Sequence, residues 1–142
     1  MINSQRVLND IIKTSQMGIN GINVVMDKTS EPALRQALKV QRREYSDIEQ
    51  QAKLLAQRKG YKIDQIKPIT RRMGAMMSKA QLMAGEPDSK IAGMMIQGNT
   101  RGIIKGYKNL NQFPPSDQRV SNLAHKLIDF EETNNRQLQG FL

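Results

Sequence analysis

Apolar residues recur along this chain at intervals of three and four, the spacing that lays a stripe along one face of an α-helix. Leu8, Ile11, Ile12, Ile19, Ile22, Val25 and Met26 carry the pattern from about Asn3 to Met26. Gly18 and Gly21 interrupt it, each at a cost of about 1 kcal/mol relative to Ala, which a closely packed neighbouring helix would offset. Around residues 27–31 the pattern lapses, and Ser30 followed by Pro32 reads as an N-cap and a first-turn proline. Leu34, Leu38, Gln41, Tyr45, Ile48, Ala52 and Leu55 then form a heptad seam with one polar member, Gln41, ending near Lys59–Gly60.

A connection over 61–68 ends at Pro68, and a shorter helix is predicted over 69–84, with Met73, Met76, Met77, Ala80, Leu82 and Met83. Gly85 and Pro87 stop it. Asp88 or Ser89 caps the next helix, predicted over 89–111, with Ile91, Met94, Met95, Ile103, Ile104 and Leu110 on its apolar face. The Phe113-Pro114-Pro115 corner breaks the chain, and Ser116 or Asp117 caps a last helix over 117–139 carrying Val120, Leu123, Ala124, Leu127, Ile128, Phe130 and Leu138. No strand pattern, linker or low-complexity tract appears.

The helices over 3–26, 33–59, 89–111 and 117–139 are each roughly 33–40 Å long. Short connections make the first two, and the last two, antiparallel neighbours. The longer piece between these hairpins would cover the length of a bundle, giving the ferritin-like wiring in which one crossover joins two antiparallel pairs. The expected fold is therefore all-α: a ferritin-like four-helix bundle of two antiparallel hairpins, with a short extra helix in the crossover, as a single domain over 1–142. The rival is a five-helix up-down array.

The run Ile91-Ala92-Gly93-Met94-Met95-Ile96-Gln97-Gly98-Asn99-Thr100, followed by Gly102-Ile103, resembles one found in a poorly characterised family of small bacterial proteins with ferritin-like bundles. The similarity extends to Ser15-Gln16-Met17-Gly18-Ile19, to Gln41 and Glu44-Tyr45, and to Leu138–Leu142, most of the length of the chain. The resemblance implies a fold and no activity.

Composition narrows the chemistry. With 142 residues the chain is long enough to bury a core. It has no Cys and one His, His125, so no disulfide framework or thiolate site is expected, and most zinc sites are excluded within one chain. No apolar run is long enough to span a membrane and no signal-peptide pattern opens the chain, so a cytoplasmic protein is expected.

The net charge is +9, and it is unevenly placed. Residues 1–34 balance, residues 80–142 carry +1, and residues 35–79 carry twelve basic against four acidic side chains. Arg35, Lys39, Arg42, Arg43, Arg71 and Arg72 lead this cluster, with Lys53, Arg58, Lys59, Lys62, Lys67 and Lys79. The cluster is either a solvated helix surface or a polyanion-binding face. Only 4% of residues are aromatic, so nucleic acid would be held through its phosphates without sequence choice.

A ferritin-like bundle raises the question of a di-iron site, which needs one Glu from each of two helices and Glu-x-x-His from the other two. Gln41-x-x-Glu44, Glu131-x-x-Asn134 and Glu132-x-x-Asn135 stand where such motifs would be, short of acids and without imidazoles. No metal, cofactor or catalytic residue is expected. His125 reads as a boundary residue, with Asp129 at i+4 and no nucleophile to serve. Gly98, Gly102 and Gly106 fall every fourth residue on one helix face, a helix-packing or interface signal, with a ligand groove as the alternative. Asn99 and Thr100 beside them would supply hydrogen bonds to either. The nine methionines read first as core filler, then as a pliable docking surface, and last as thioether ligands for Cu(I), which no Cys or neighbouring His assists.

These observations favour a non-catalytic bundle working through self-association or contact with another protein. A non-sequence-specific polyanion binder is the alternative, and a degenerate metal-binding ferritin-like protein a third.

Overall fold

The computed structural model describes residues 2–64 and 87–142, and these fold as four α-helices: α1 (Ile2–Met26), α2 (Pro32–Arg58), α3 (Pro87–Gln112) and α4 (Gln118–Gln139). The described residues contain no strand. The helix predicted over 69–84, its methionines and the basic residues Lys67, Arg71, Arg72 and Lys79 lie outside the described residues.

Side-chain bonds at the two ends fix the helix directions. At one end, Asp88 at the start of α3 accepts from the backbone N–H of Ser30 (3.0 Å), the Ser30 hydroxyl (2.8 Å) and the N–H of Glu31 (3.0 Å), just before α2 begins. At the other, Asn3 near the start of α1 donates to the Pro114 carbonyl (3.1 Å) between α3 and α4. Lys59, after α2, pairs there with Asp117, before α4. Helices α1 and α4 therefore run one way, α2 and α3 the other. Helices α1 and α2, α3 and α4, α2 and α4, and α1 and α3 pack antiparallel, α1 and α4 also touch as a parallel pair, and the connection from α2 to α3 starts and finishes at opposite ends of the bundle.

Capping explains the boundaries. Ser30 does not cap α2, because its hydroxyl is engaged by Asp88; Glu31 is the N-cap instead, accepting from Ala33 N–H at 3.3 Å, with Pro32 as first helical residue. At the far end of α2, Gly60 has φ of +70°, Tyr61 N–H reaches the Ala56 carbonyl at 2.9 Å and Gly60 N–H the Gln57 carbonyl at 3.1 Å. That pair of bonds closes a Schellman motif, whose left-handed position glycine fills without strain. Asp117 caps α4, accepting from Arg119 N–H at 2.8 Å.

The core follows the predicted stripes on α1, α2 and α4: Leu8, Ile12, Ile22, Leu34, Leu38, Ile48, Ile128 and Leu138 are fully buried. Helix α3 differs. Its buried residues are Ile91, Ala92, Met95 and Asn99, and none beyond Asn99 is buried. Ile103 and Leu110 are half-buried, and Ile104, predicted for the apolar face, is 50% exposed. The second half of α3 meets α4 through glycines, so its branched side chains flank the contact instead of filling it. No described helix is long and apolar enough to cross a membrane.

Candidate functional site: a cavity with a buried acid

Halfway along the bundle the core turns polar. Tyr45 of α2 lies across the interior with its ring edge-on to Phe130, centroids 4.7 Å apart. Its hydroxyl oxygen sits 2.8 Å from Glu131 Oε2 on α4 and 2.9 Å from Asn99 Oδ1 on α3. All three residues are at most 3% exposed.

Two glycines make the space for them. A Cβ on Gly18 of α1 would stand 2.5 Å from the Tyr45 ring, and a Cβ on Gly102 of α3 would stand 2.6 Å from both oxygens of Glu131. Only residues without side chains let the ring and the carboxyl occupy those positions. One helical turn on, a Cβ on Gly106 would fall 2.8 Å from Ile128 of α4. Gly98, the first rung of the same ladder, has nothing among the described residues within 4 Å of its Cβ position. The ladder therefore divides: Gly102 and Gly106 face α4, while Gly98 opens onto free space.

That space is a cavity of about 300 Å³ between α1 and α3. Met17, Val24, Val25, Met94 and Met95 supply apolar lining, with Gly18, Gly21 and Gly98 among them. Tyr45, Asn99 and Glu131 supply buried polar groups, and Arg101 and Lys105, both exposed, line it as well.

Burial pushes the Glu131 carboxyl up to about 8, the hydrogen bond from Tyr45 offsetting only part of the rise. At neutral pH the acid is therefore mostly protonated. Burial also raises Tyr45 well above the usual tyrosine value, and the neighbouring Glu131 raises it further. The Tyr45 hydroxyl is within donating distance of two acceptors, Glu131 Oε2 and Asn99 Oδ1, and has one proton to share between them. Among the described residues, Glu131 Oε1 and Asn99 Nδ2 have no hydrogen-bond partner, and neither do Ser15 Oγ, Gln41 Oε1 and Asn134 Nδ2 elsewhere in the core. A buried polar atom left unpaired costs about 1–3 kcal/mol.

Of the residues proposed from sequence, Gly98 and Gly102, with Asn99 beside them, line the cavity, and the basic residues fall elsewhere. Arg35 turns back to the end of α1, donating to the Thr29 carbonyl at 2.7 Å, and Arg42 donates to Asn23 at 2.8 Å. Lys53 pairs with Glu49 at 3.5 Å, and Lys59 with Asp117. Lys39 and Arg43 are exposed on α2. The described part of the basic cluster thus spends several of its members on bonds within the fold. His125 is exposed on α4, and no group of three or more His, Cys, Asp or Glu that would hold a metal ion occurs among the described residues.

The cluster at the floor was visible only in pieces. Glu131 and Asn134 sit at stripe positions of α4, between Leu127–Ile128 and Leu138, where a solvated helix would not bury acids or amides. A carboxylate on a core stripe, a tyrosine in a heptad seam and an asparagine inside a glycine ladder are the signal. What sequence does not show is that the three meet.

No family model matches the sequence, and no curated protein matches it. Among solved structures, the chain is similar to the crystal structure of a DUF305 fragment from Deinococcus radiodurans, with a TM-score of 0.75 and 11% identity over 99% of this chain and 95% of that one. At that identity the likeness shows the fold, a helical bundle shared over nearly the whole length of both chains.

Proposed function

We propose that this chain is a non-catalytic, ferritin-like four-helix bundle whose work is binding, and that the cavity between α1 and α3 is its binding site. The ferritin-like reading is supported by the helix directions, two antiparallel hairpins joined by one long connection with α2 and α3 parallel. The binding reading rests on one observation: an apolar-walled cavity of about 300 Å³ whose lining includes three buried polar residues, Tyr45, Asn99 and Glu131. Ligand sites have this composition, apolar walls with a few convergent polar groups, and this volume is at the small end of their range.

No catalytic step is part of this reading: the raised acid, Glu131, has its hydrogen-bond contact with Tyr45 inside the core.

The test is methionine-methyl NMR with added 1-octanol. Saturable shifts are expected at Met17, Met94 and Met95, which line the cavity, and none at Met26, which is buried outside it. Gly98→Phe should abolish them by filling the opening. Unsaturable shifts, or shifts equal at all four methionines, would remove the reading.

A further inference from the structure

The cavity is polarised along the bundle axis. Helices α1 and α3 run antiparallel, so its two ends come from different parts of each helix. One end is apolar, lined by Val24 and Val25 of α1 and by Met94 and Met95 of α3. Arg101 and Lys105 of α3 stand at the other end, one turn apart and both exposed. Lys105 pairs with Asp10 of α1 at 3.4 Å. Arg101 has no hydrogen bond or ion pair among the described residues.

No carboxylate in the lining opposes these cations. The one acid there is Glu131, which is mostly protonated at neutral pH. Its carboxyl lies against Gly102, with Oε2 on the Tyr45 hydroxyl at 2.8 Å. Glu131 Oε1 and Asn99 Nδ2 are closed off inside the core, so the charge that an entering molecule can reach is at the Arg101 end.

An apolar trough with cations at one end is complementary to an apolar chain with an anionic head. An ammonium head would meet the field of both cations. An uncharged head would leave the Arg101 guanidinium without an ion partner. A carboxylate fits the planar fork of a guanidinium, which binds it through two parallel N–H bonds. From Met94 it is seven residues to Arg101 and eleven to Lys105, roughly 10 and 16 Å along the helix. The cavity holds roughly ten waters' worth of volume. Those dimensions suit one unbranched chain of medium length and exclude the paired chains of a phospholipid.

We infer that the cavity takes a single-chain, medium-length aliphatic carboxylate, its tail among Val24, Val25, Met94 and Met95 and its head on Arg101, with Lys105 adding to the field. This rests on the proposal that the cavity is the binding site. It adds the chemical class of the ligand and the residue that selects its head.

Octanoate, 1-octanol and octylamine share a chain and differ in head. Each is titrated into the full chain at pH 7 and followed by the methionine methyl shifts. Octanoate should bind at least fivefold more tightly than 1-octanol and tenfold more tightly than octylamine. Raising the salt from low to near-physiological should weaken octanoate and leave 1-octanol unchanged. Arg101→Ala removes an exposed side chain that holds nothing among the described residues, so it should fold as the parent does. It should weaken octanoate fivefold or more and change 1-octanol less than twofold. Gly98→Phe adds a ring where a Cβ meets nothing among the described residues within 4 Å, so it should fold normally and abolish binding of both.

Octanoate binding no tighter than 1-octanol, or unchanged in Arg101→Ala, would overturn the head-group assignment and leave the cavity as a binding site. Tightest binding by octylamine would do the same. If none of the three binds, or if Gly98→Phe binds octanoate and 1-octanol as the parent does, the cavity is not the site, and both proposals fall.

Discussion

Replacing Glu131 by Gln isolates the energetic consequence of burying an acid in the middle of the bundle. The carboxyl titrates at about 8 in the folded chain against an ordinary value of 4.5. Each pH unit of that difference is worth about 1.4 kcal/mol. The sign follows from proton linkage. Between pH 4.5 and 8 the folded state holds a proton that the unfolded chain has lost, so stability falls as pH rises through this window and levels off above it. The full loss is on the order of 4–5 kcal/mol, a large fraction of a typical domain's 5–15 kcal/mol. Glu131 is only 2% exposed, so solvent screening does little to reduce it.

Gln has the shape of the acid without the titration, and its amide oxygen accepts from the Tyr45 hydroxyl as the acid does. Urea unfolding followed by circular dichroism from pH 5 to pH 9 should show the parent weakening steadily to about pH 8. Glu131→Gln should stay nearly level. The two should agree to about 1 kcal/mol at pH 5 and separate by roughly 3–5 kcal/mol at pH 9, with the variant the more stable. Background titrations common to both chains cancel in that difference. A parent whose midpoint is constant across the range, or a variant that weakens in parallel with it, would refute the buried neutral acid. A carboxylic-acid C=O band in the infrared spectrum at pH 7, absent from Glu131→Gln, is the direct spectroscopic check.

Gly18→Ala should destabilise by about 1–2 kcal/mol net in thermal melts, because overpacking against the wedged Tyr45 ring outweighs the gain in helix propensity. Gly98→Ala should do the opposite, stabilising by about 0.5–1 kcal/mol, since its Cβ enters open space. Tyr45→Phe should cost about 1–3 kcal/mol in urea unfolding at pH 6 by removing the hydroxyl that Asn99 Oδ1 and Glu131 Oε2 share. Burial raises Asp88, but its bonds from Ser30 and Glu31 outweigh that and hold the carboxyl below its usual value, so its contribution is present above about pH 4 and is lost as pH falls further. Asp88→Ala should therefore lower stability at pH 6 and flatten the acid limb of the stability profile, by less than about 1 kcal/mol because the carboxylate is largely solvated.

The helices were legible because each carries a long stripe with a cap. Asp117 and Gly60 stand where cap chemistry requires them, and all four long helices match their predicted spans to within about two residues. Ser30 misled because the competing partner, Asp88, is 58 residues away in sequence and invisible to local reasoning. Ile104 misled because the period places it on the apolar face, whereas the close glycine contact with α4 leaves it outside. The site was illegible for a related reason. Tyr45, Asn99 and Glu131 belong to three helices, and their meeting depends on how the helices are set against each other. The basic cluster drew attention as a local excess of charge, yet Arg35 and Arg42 bond to residues that a count of charges does not weigh.

The polar centre and the two glycines beside it form one device. Gly18 and Gly102 each give up about 1 kcal/mol of helix propensity, and each does so at the point where a Cβ would strike Tyr45 or Glu131. The buried carboxyl costs a further several kcal/mol above neutral pH. An apolar layer of Leu or Met would avoid these costs. Buried polar atoms without partners among the described residues occur also at Ser15, Gln41 and Asn134, so an unpaired atom alone does not mark this wall. The glycines do: each gives up helix propensity at the point where the ring or the carboxyl needs its space, and each residue makes sense only in the presence of the others. That is what a binding site requires: a wall of fixed shape, held by the helices behind it, with apolar residues to exclude water. On that account 1-octanol at saturating concentration should raise the melting temperature of the parent and leave Gly98→Phe unmoved.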